Sequence, residues 1–171
     1  STVQASTDAG FSIVTYTGTG SNATIGHGLG VAPSVVMTKV RNTANNWGVF
    51  HSGINDNTKA LLLDTTDAAA AYGGSTGMWN NTAPTSTVFS VGTNGSTGGS
   101  ANYVAYCFAE IEGYSKFGSY IGNGSTDGTF IYLGFRPAWF LLKRSDTSAN
   151  WLIYDNKRDP DNRVAQGLFP N

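Results

Sequence analysis

Short apolar runs separated by turn-forming residues dominate this chain, and their alternation is typical of β-strands. Successive side chains of a strand point to opposite faces. Residues 103–112 therefore predict a long strand with two faces, one of Tyr103, Ala105, Cys107, Ala109 and Ile111, the other of Val104, Tyr106, Phe108, Glu110 and Glu112. Further strands are predicted at residues 23–25, 33–41, 60–64, 86–91, 129–132 and 137–144, and two more begin at Trp47 and Trp151. Residues 67–72, an alanine run, hint at a helix that is too short to stand alone.

The chain contains an internal duplication. Residues 16–51 align without a gap to residues 120–155, an offset of 104 positions, and eleven of the 36 aligned pairs are identical. In each copy a glycine turn leads to a strand opened by Pro33 or Pro137, then a polar connector and a second strand. Proline lacks a backbone donor and therefore suits the first position of a strand. We predict an all-β fold, an antiparallel β-sandwich of jelly-roll-like form built from a duplicated β-hairpin unit.

The two copies differ in the length of chain that comes after them. The first copy runs on for roughly 65 residues after Trp47, whereas 20 residues follow Trp151. We assign residues 1–115 to a first repeat unit with its connecting strands and residues 116–171 to a second, truncated unit, together forming one compact domain. The chain is expected either to be a fragment of a longer protein or to receive its missing strands from a neighbouring subunit.

Composition and charge narrow the possible functions. Ten Lys and Arg residues face eleven Asp and Glu, and charged residues make up 12% of the chain. Phosphate-backbone binding needs a basic surface, so nucleic acid is not an expected partner. Ser, Thr, Asn and Gly account for 73 of the 171 residues, beside 40% hydrophobic residues, which favours strands joined by turns over disorder.

The chain offers few groups for redox or metal chemistry. Cys107 is the sole cysteine, and with His27 and His51 it supplies too few ligands for a Cys/His metal site, so neither a metal nor a cofactor is expected. The apolar runs are far too short to span a bilayer. The N-terminus has no initiator Met and no signal-peptide pattern, which predicts a processed product or an excised piece.

Several long strings along the chain are distinctive. They are HGLGVAP at residues 27–33, WNNTAPTSTVFSVG at 79–92, YVAYCFAE at 103–110, and KFGSY at 116–120 leading into GFRP at 134–137. In this order they resemble repeat domains of tailed-bacteriophage virion proteins that are tail-fibre-like, structural or of undefined function, and the resemblance covers residues 10–171. It implies a virion component on fibres or other appendages that touch the host, and it carries no catalytic residues. Members of that family continue past the position of Asn171, which agrees with the fragment interpretation.

One pattern could support catalysis. Glu110 and Glu112 would share a strand face about 6 to 7 Å apart, close to the separation of the paired carboxylates in glycoside hydrolases. The pattern loosely resembles the acidic strand of β-sandwich glucanases, but Tyr114 stands where a third acid is expected. The alternative, which we favour, is that both carboxylates mark the solvated end of the strand.

Aromatic residues are the other candidates for a binding role. Trp79 lies with Tyr72 in a turn-rich stretch, where it could stack on a glycan or pin the loop. Trp47 and Trp151 recur in both copies and are predicted to fill equivalent core positions, and His27 and His51 are predicted to be hydrogen-bonded turn residues. The candidate ligand-binding set comprises Tyr72, Trp79, Tyr106, Glu110 and Glu112.

These observations predict a non-enzymatic structural protein of the bacteriophage virion, in a tail fibre, appendage or surface decoration, with a role in host attachment or particle assembly. Its expected partners are copies of itself, a trimer by analogy with phage fibres, and other virion proteins, with a host-surface glycan as a further ligand. The alternatives are a carbohydrate-binding module that uses loop aromatics and a β-sandwich glycoside hydrolase that uses Glu110 and Glu112.

Overall fold

The computed structural model of the chain describes residues 1–72, 74, 77–159 and 164–171. The strands formed by these residues are β1 (Thr2–Ser6), β2 (Phe11–Thr17), β3 (Ala23–Gly26), β4 (Val35–Val40), β5 (Gly48–His51), β6 (Leu61–Leu62), β7 (Val88–Val91), β8 (Asn102–Phe108), β9 (Trp139–Lys143) and β10 (Trp151–Asp155). A short 3₁₀ turn is present at Ser52–Ile54. Every strand pair is antiparallel, so the predicted all-β, antiparallel fold is confirmed.

A six-stranded sheet in the order β1-β2-β8-β4-β5-β6 forms the centre of the molecule. β8 pairs with β2 along seven residues on one side and with β4 along six on the other. Its residues Tyr103, Ala105 and Cys107 are fully buried on the inner face, as their alternation predicts.

A second layer of two strands, β3 and β7, covers that inner face. Ile25 of β3 and Phe89 and Val91 of β7 pack in one cluster with the inner residues of the six-stranded sheet. The ring of Phe89 meets the ring of Tyr16 edge-on, with 6.1 Å between the centroids. The two layers form a sandwich that is not closed, because the second layer holds two strands against six.

The duplicated hairpin is present in the structure with its register preserved. β4 pairs with β5 so that Val36 faces Phe50, and β9 pairs with β10 so that Phe140 faces Tyr154. Each partner in the second pair lies 104 positions after its counterpart in the first. The sequence duplication is therefore also a structural one.

Three local predictions differ from the structure. β8 ends at Phe108 rather than at residue 112, residues 129–132 form no strand, and residues 67–72 form no helix. Strand β1, which the apolar pattern does not indicate, is added at the edge of the sheet by pairing with β2. Its side chains are all exposed. Neither face of β1 is buried, so its sequence has no need for the alternation of apolar and polar residues that predicts a strand.

A buried polar loop, which includes residues 96–99, is hydrogen-bonded to strands of the six-stranded sheet. The Oγ1 of Thr38 donates to the backbone oxygen of Ser96 at 2.9 Å, and the hydroxyl of Tyr16 donates to that of Thr97 at 2.6 Å. The loop lies so close to the residue that follows β2 that a Cβ on Gly18 would stand 2.2 Å from the Gly99 carbonyl oxygen. These contacts satisfy backbone groups that the loop would otherwise bury without partners.

Replacing Thr38 with Val should therefore destabilise the protein by about 1 to 2 kcal/mol, because the Ser96 carbonyl keeps its burial and loses its donor. Urea unfolding monitored by tryptophan fluorescence measures this change. Thr24→Val, at an exposed position of β3, is the matched control and should alter stability far less. Equal effects of the two substitutions would contradict the assignment.

Candidate functional site

The five residues predicted to bind a ligand lie in three separate places. Tyr72 and Trp79 pack into the inner core, Tyr106 lies on the outer face of β8, and Glu110 and Glu112 lie beyond the end of that strand. The structure therefore does not bring them together into one site.

Trp79 is a core residue. It is 2% exposed, and its ring meets that of Phe50 edge-on at 5.9 Å between centroids. Of the two interpretations of Trp79, a side chain that pins its loop describes its position, because the buried ring is not accessible for stacking on a glycan. Tyr72 packs half-buried against the same cluster, where burial and the nearby Asp67 raise the pKa of its hydroxyl.

The carboxylate pair lacks the geometry on which its catalytic interpretation rested. Because β8 ends at Phe108, Glu110 and Glu112 do not share a strand face. Ile111 and Ser115 form an isolated bridge around a turn that contains Glu112. Glu110 is exposed and forms an ion pair with Lys116. The interpretation of both residues as part of the solvated segment after the strand describes what the structure contains.

A row of aromatic side chains lies on the outer face of the six-stranded sheet. We call it the outer aromatic row, and its members are Trp47, Tyr106, Phe11, Phe108 and Phe117, all half-buried. The rings of Trp47 and Tyr106 stack at 6.1 Å, and the Lys39 ammonium lies 5.9 Å from the centre of the Trp47 ring. An apolar groove of about 270 Å³ adjoins the end of the row near Phe108 and Tyr114.

The outer row explains why the repeated tryptophans differ. Trp47 is half-buried against Tyr106, whereas Trp151 is buried and its Nε1 donates to the Leu62 carbonyl at 2.8 Å. The prediction that both fill equivalent core positions is wrong. The alternation of β8, which places Tyr106 and Phe108 on one face, was the available sequence signal for the row. The contribution of Phe11 comes from the pairing of β2 with β8, which no local pattern specifies.

His27 has two hydrogen-bond partners that fix its neutral form. Its Nε2 contacts the Thr85 carbonyl oxygen at 3.1 Å and therefore carries the proton, while its Nδ1 accepts from the Leu29 amide at 3.2 Å. His51 likewise accepts the Gly53 amide on Nδ1 at 2.9 Å. Both imidazoles are hydrogen-bonded as predicted, although His51 is the last residue of β5 and caps the following 3₁₀ turn rather than lying in a turn itself. Burial lowers the pKa of both imidazoles, with the Thr85 carbonyl opposing this change at His27.

Stability should consequently fall with acidification. A folded-state pKa below the unfolded value of about 6.5 means that the unfolded chain binds more protons, so the stabilisation is complete above that pH and is lost as pH falls through the folded pKa. Urea unfolding of the native protein between pH 7.5 and 5.5 should show this decline. The decline should be smaller in His27→Gln, and a native protein equally stable across the range would contradict the prediction. The carboxyl groups whose pKa values are shifted here are lowered from 3.8 and titrate outside this window.

The most unusual surface of the molecule is apolar. Of the 14 large hydrophobic side chains exposed among the described residues, eleven lie between residues 114 and 169. We call their central part the C-terminal apolar surface, formed by Tyr120, Ile121, Phe130, Ile131, Tyr132, Trp139 and Phe140. Phe130, Ile131 and Tyr132 stand at the positions where the first copy has Gly26, His27 and Gly28, and this difference between copies was the sequence signal for it.

Neither a metal-binding cluster nor a spanning helix is found among the described residues. That part of the chain contains no group of three or more His, Cys, Asp or Glu side chains that could hold a metal ion. No helix within it has the length and apolarity to span a bilayer.

These features define an antiparallel β-protein whose distinctive surfaces are apolar and aromatic. The chain belongs to the family described as a domain of unknown function, DUF7483, whose model matches residues 1–171. Comparisons with curated proteins and with solved structures gave no significant match.

Proposed function

We propose that this protein is a structural component of a bacteriophage particle, in a tail fibre, appendage or surface decoration, that acts in particle assembly or host attachment. It assembles there with copies of itself and with other virion proteins. The observation that carries the proposal is the C-terminal apolar surface, because many exposed large apolar side chains in one part of a chain favour association with another protein.

The exposure of that surface is difficult to explain in a chain that acts alone. Ile121 and Phe130 are almost fully exposed, and Tyr132 nearly as much. Burying such side chains against a partner gains about 25 cal/mol for each Å² of apolar area removed from water. The surface therefore favours association over a solitary soluble domain.

The chemistry of the chain agrees with an assembly role. Charged residues are few, so long flexible side chains seldom have to be ordered when subunits meet. The strings at residues 27–33, 79–92 and 103–110 resemble phage virion repeat domains. This resemblance is the reason for proposing a phage particle as the assembly.

At micromolar concentration the protein should form an oligomer, a trimer by analogy with phage fibres. Light scattering coupled to gel filtration should give a mass that is a multiple of the single chain. Ile121→Lys combined with Phe130→Lys should shift the mass towards the monomer, because each ammonium would have to be desolvated at an interface.

The control for this experiment is Val31→Lys, an exposed apolar position in the first unit that should leave the oligomer intact. A native protein that is monomeric at micromolar concentration would count against self-assembly. A monomer that also fails to bind purified particles of its phage would remove the virion proposal as a whole.

A second candidate function is carbohydrate binding, and the outer aromatic row is the observation that favours it. Aromatic rings on a sheet face can stack on sugars, and Trp47 and Tyr106 keep part of their rings exposed. This candidate no longer uses Trp79, which is buried.

A glycan array tests this candidate directly. Binding should be lost in Trp47→Ala and retained in Tyr114→Ala, which removes an exposed aromatic outside the row. An array without any bound glycan, or binding that both variants retain, would remove the candidate.

A further inference from the structure

The first repeat unit reveals what the second one lacks. In the first unit, β4 has β5 on one side and β8 on the other, and β5 in turn pairs with β6. In the second unit, β9 has β10 on one side, and Ile153 of β10 bridges Leu168, much as Val49 of β5 pairs with Leu61. The counterparts of β4, β5 and β6 are therefore present. Among the described residues, nothing pairs with β9 at the position that β8 occupies beside β4.

The free edge of β9 presents a defined set of backbone groups. Asn156 donates its amide to the Ala138 carbonyl at 3.0 Å, so Ala138 directs its backbone groups towards β10. Alternate residues of an antiparallel strand direct theirs to opposite sides. The N–H and C=O groups of Trp139, Leu141 and Lys143 therefore point to the unpaired edge.

The two hairpins pack against each other through equivalent faces. Leu141 and Trp151 of the second unit lie in one cluster with Val35 and Val49 of the first. Leu141 and Trp151 are the counterparts of Met37 and Trp47, which also belong to the outer face of the first unit. The opposite face of β9–β10, equivalent to the buried core face of β4–β5, consequently points away from the molecule.

Exposure at equivalent positions confirms this orientation. Val36 is 0% exposed and its counterpart Phe140 is 45% exposed, and Tyr16 and Tyr120 differ in the same way, at 5% and 46%. Phe140 stacks on Tyr154 at 5.2 Å, as two rings left on an open surface. The second unit thus exposes residues at positions that the first unit covers.

We propose that the free edge of β9 is a docking site for a β-strand of a partner polypeptide with the residue pattern of β8, in antiparallel pairing. This inference rests on the proposed assembly function and names the chemistry of the partner segment. Its register follows from the first unit, where Cys107 faces Val36 and Ala105 faces Thr38. The partner strand therefore places small side chains opposite Phe140 and Leu142.

The partner strand is not the β8 of a second copy of this chain. A second copy has β8 paired on both edges, with β2 and β4, and cannot release it without opening its own central sheet. An added strand gains affinity from its main-chain hydrogen bonds and specificity from alternate side chains. A short extended segment with alternating small and aromatic residues fits both requirements.

A synthetic peptide with the sequence of residues 101–110, carrying Ser in place of Cys107 to prevent oxidation, serves as the probe. Titration into the native protein should give saturable binding of one peptide per chain. Hydrogen exchange should show new protection at the Trp139, Leu141 and Lys143 amides, while Phe140 and Leu142, already bonded to β10, should change little. A peptide of scrambled order is the composition control and should not bind.

Two substitutions at Trp139 separate the backbone edge from the side chain. Trp139→Pro removes one edge donor at the first residue of the strand, where proline is tolerated, whereas Trp139→Ala keeps that donor. Circular dichroism verifies that both variants are folded. Binding should be at least about tenfold weaker in Trp139→Pro than in Trp139→Ala, because the proline ring blocks the approaching strand.

Equal binding by both variants, or no binding of the peptide to the native protein, would overturn the docking site. The amides of Trp139, Leu141 and Lys143 could instead be protected from exchange in the protein without peptide. If Trp139→Pro also disrupts the oligomer, the edge pairs with a second copy, and the partner proposed here is overturned. Failure of the peptide with an intact oligomer removes this inference alone, because self-assembly is measured independently of the peptide.

Discussion

The pairing of β8 on both of its edges is the constraint on which the rest of the structure depends. Its inner residues Tyr103, Ala105 and Cys107 form the floor of the core, and two of these three side chains are small. The space above them is occupied by large side chains of the same cluster, including Phe89 and Trp79. β8 is therefore buried on both edges and on one face, between two strands from the N-terminal part of the first unit, β2 and β4.

Local features of the fold were predictable from the sequence, and features set by distant pairing were not. The β4–β5 and β9–β10 hairpins combine strand patterns with short polar connectors, so their information lies within a few residues. The position of β8 between β2 and β4 joins segments about 60 to 100 residues apart, and a local pattern of apolar residues does not specify such distant pairing. Two interpretations of Trp79 stayed open because a turn-rich sequence indicates a loop without indicating which side chain the loop buries.

The duplication shows how far sequence identity determines environment. Trp47 and Trp151 stand at equivalent positions of the two hairpins, yet one stacks on the sheet surface and the other is buried beneath the opposing hairpin. The same hairpin forms in both copies, while its burial is set by what packs on each face. The same residue type therefore supports two roles, one in the outer aromatic row and one in the contact between units.

The residues that flank β9 indicate what kind of pairing its open edge favours. Unpaired edges promote uncontrolled association, and proteins limit this with proline and with charged side chains, lysine above all. β9 is preceded by Pro137 and ends in Lys143, with Arg144 after it, so proline and charged side chains flank its four apolar residues. The edge of β1 is instead protected by composition, since its exposed residues are mostly small and polar. A short strand of apolar side chains with such flanks favours pairing with one short segment over the repeated edge-to-edge association of many chains.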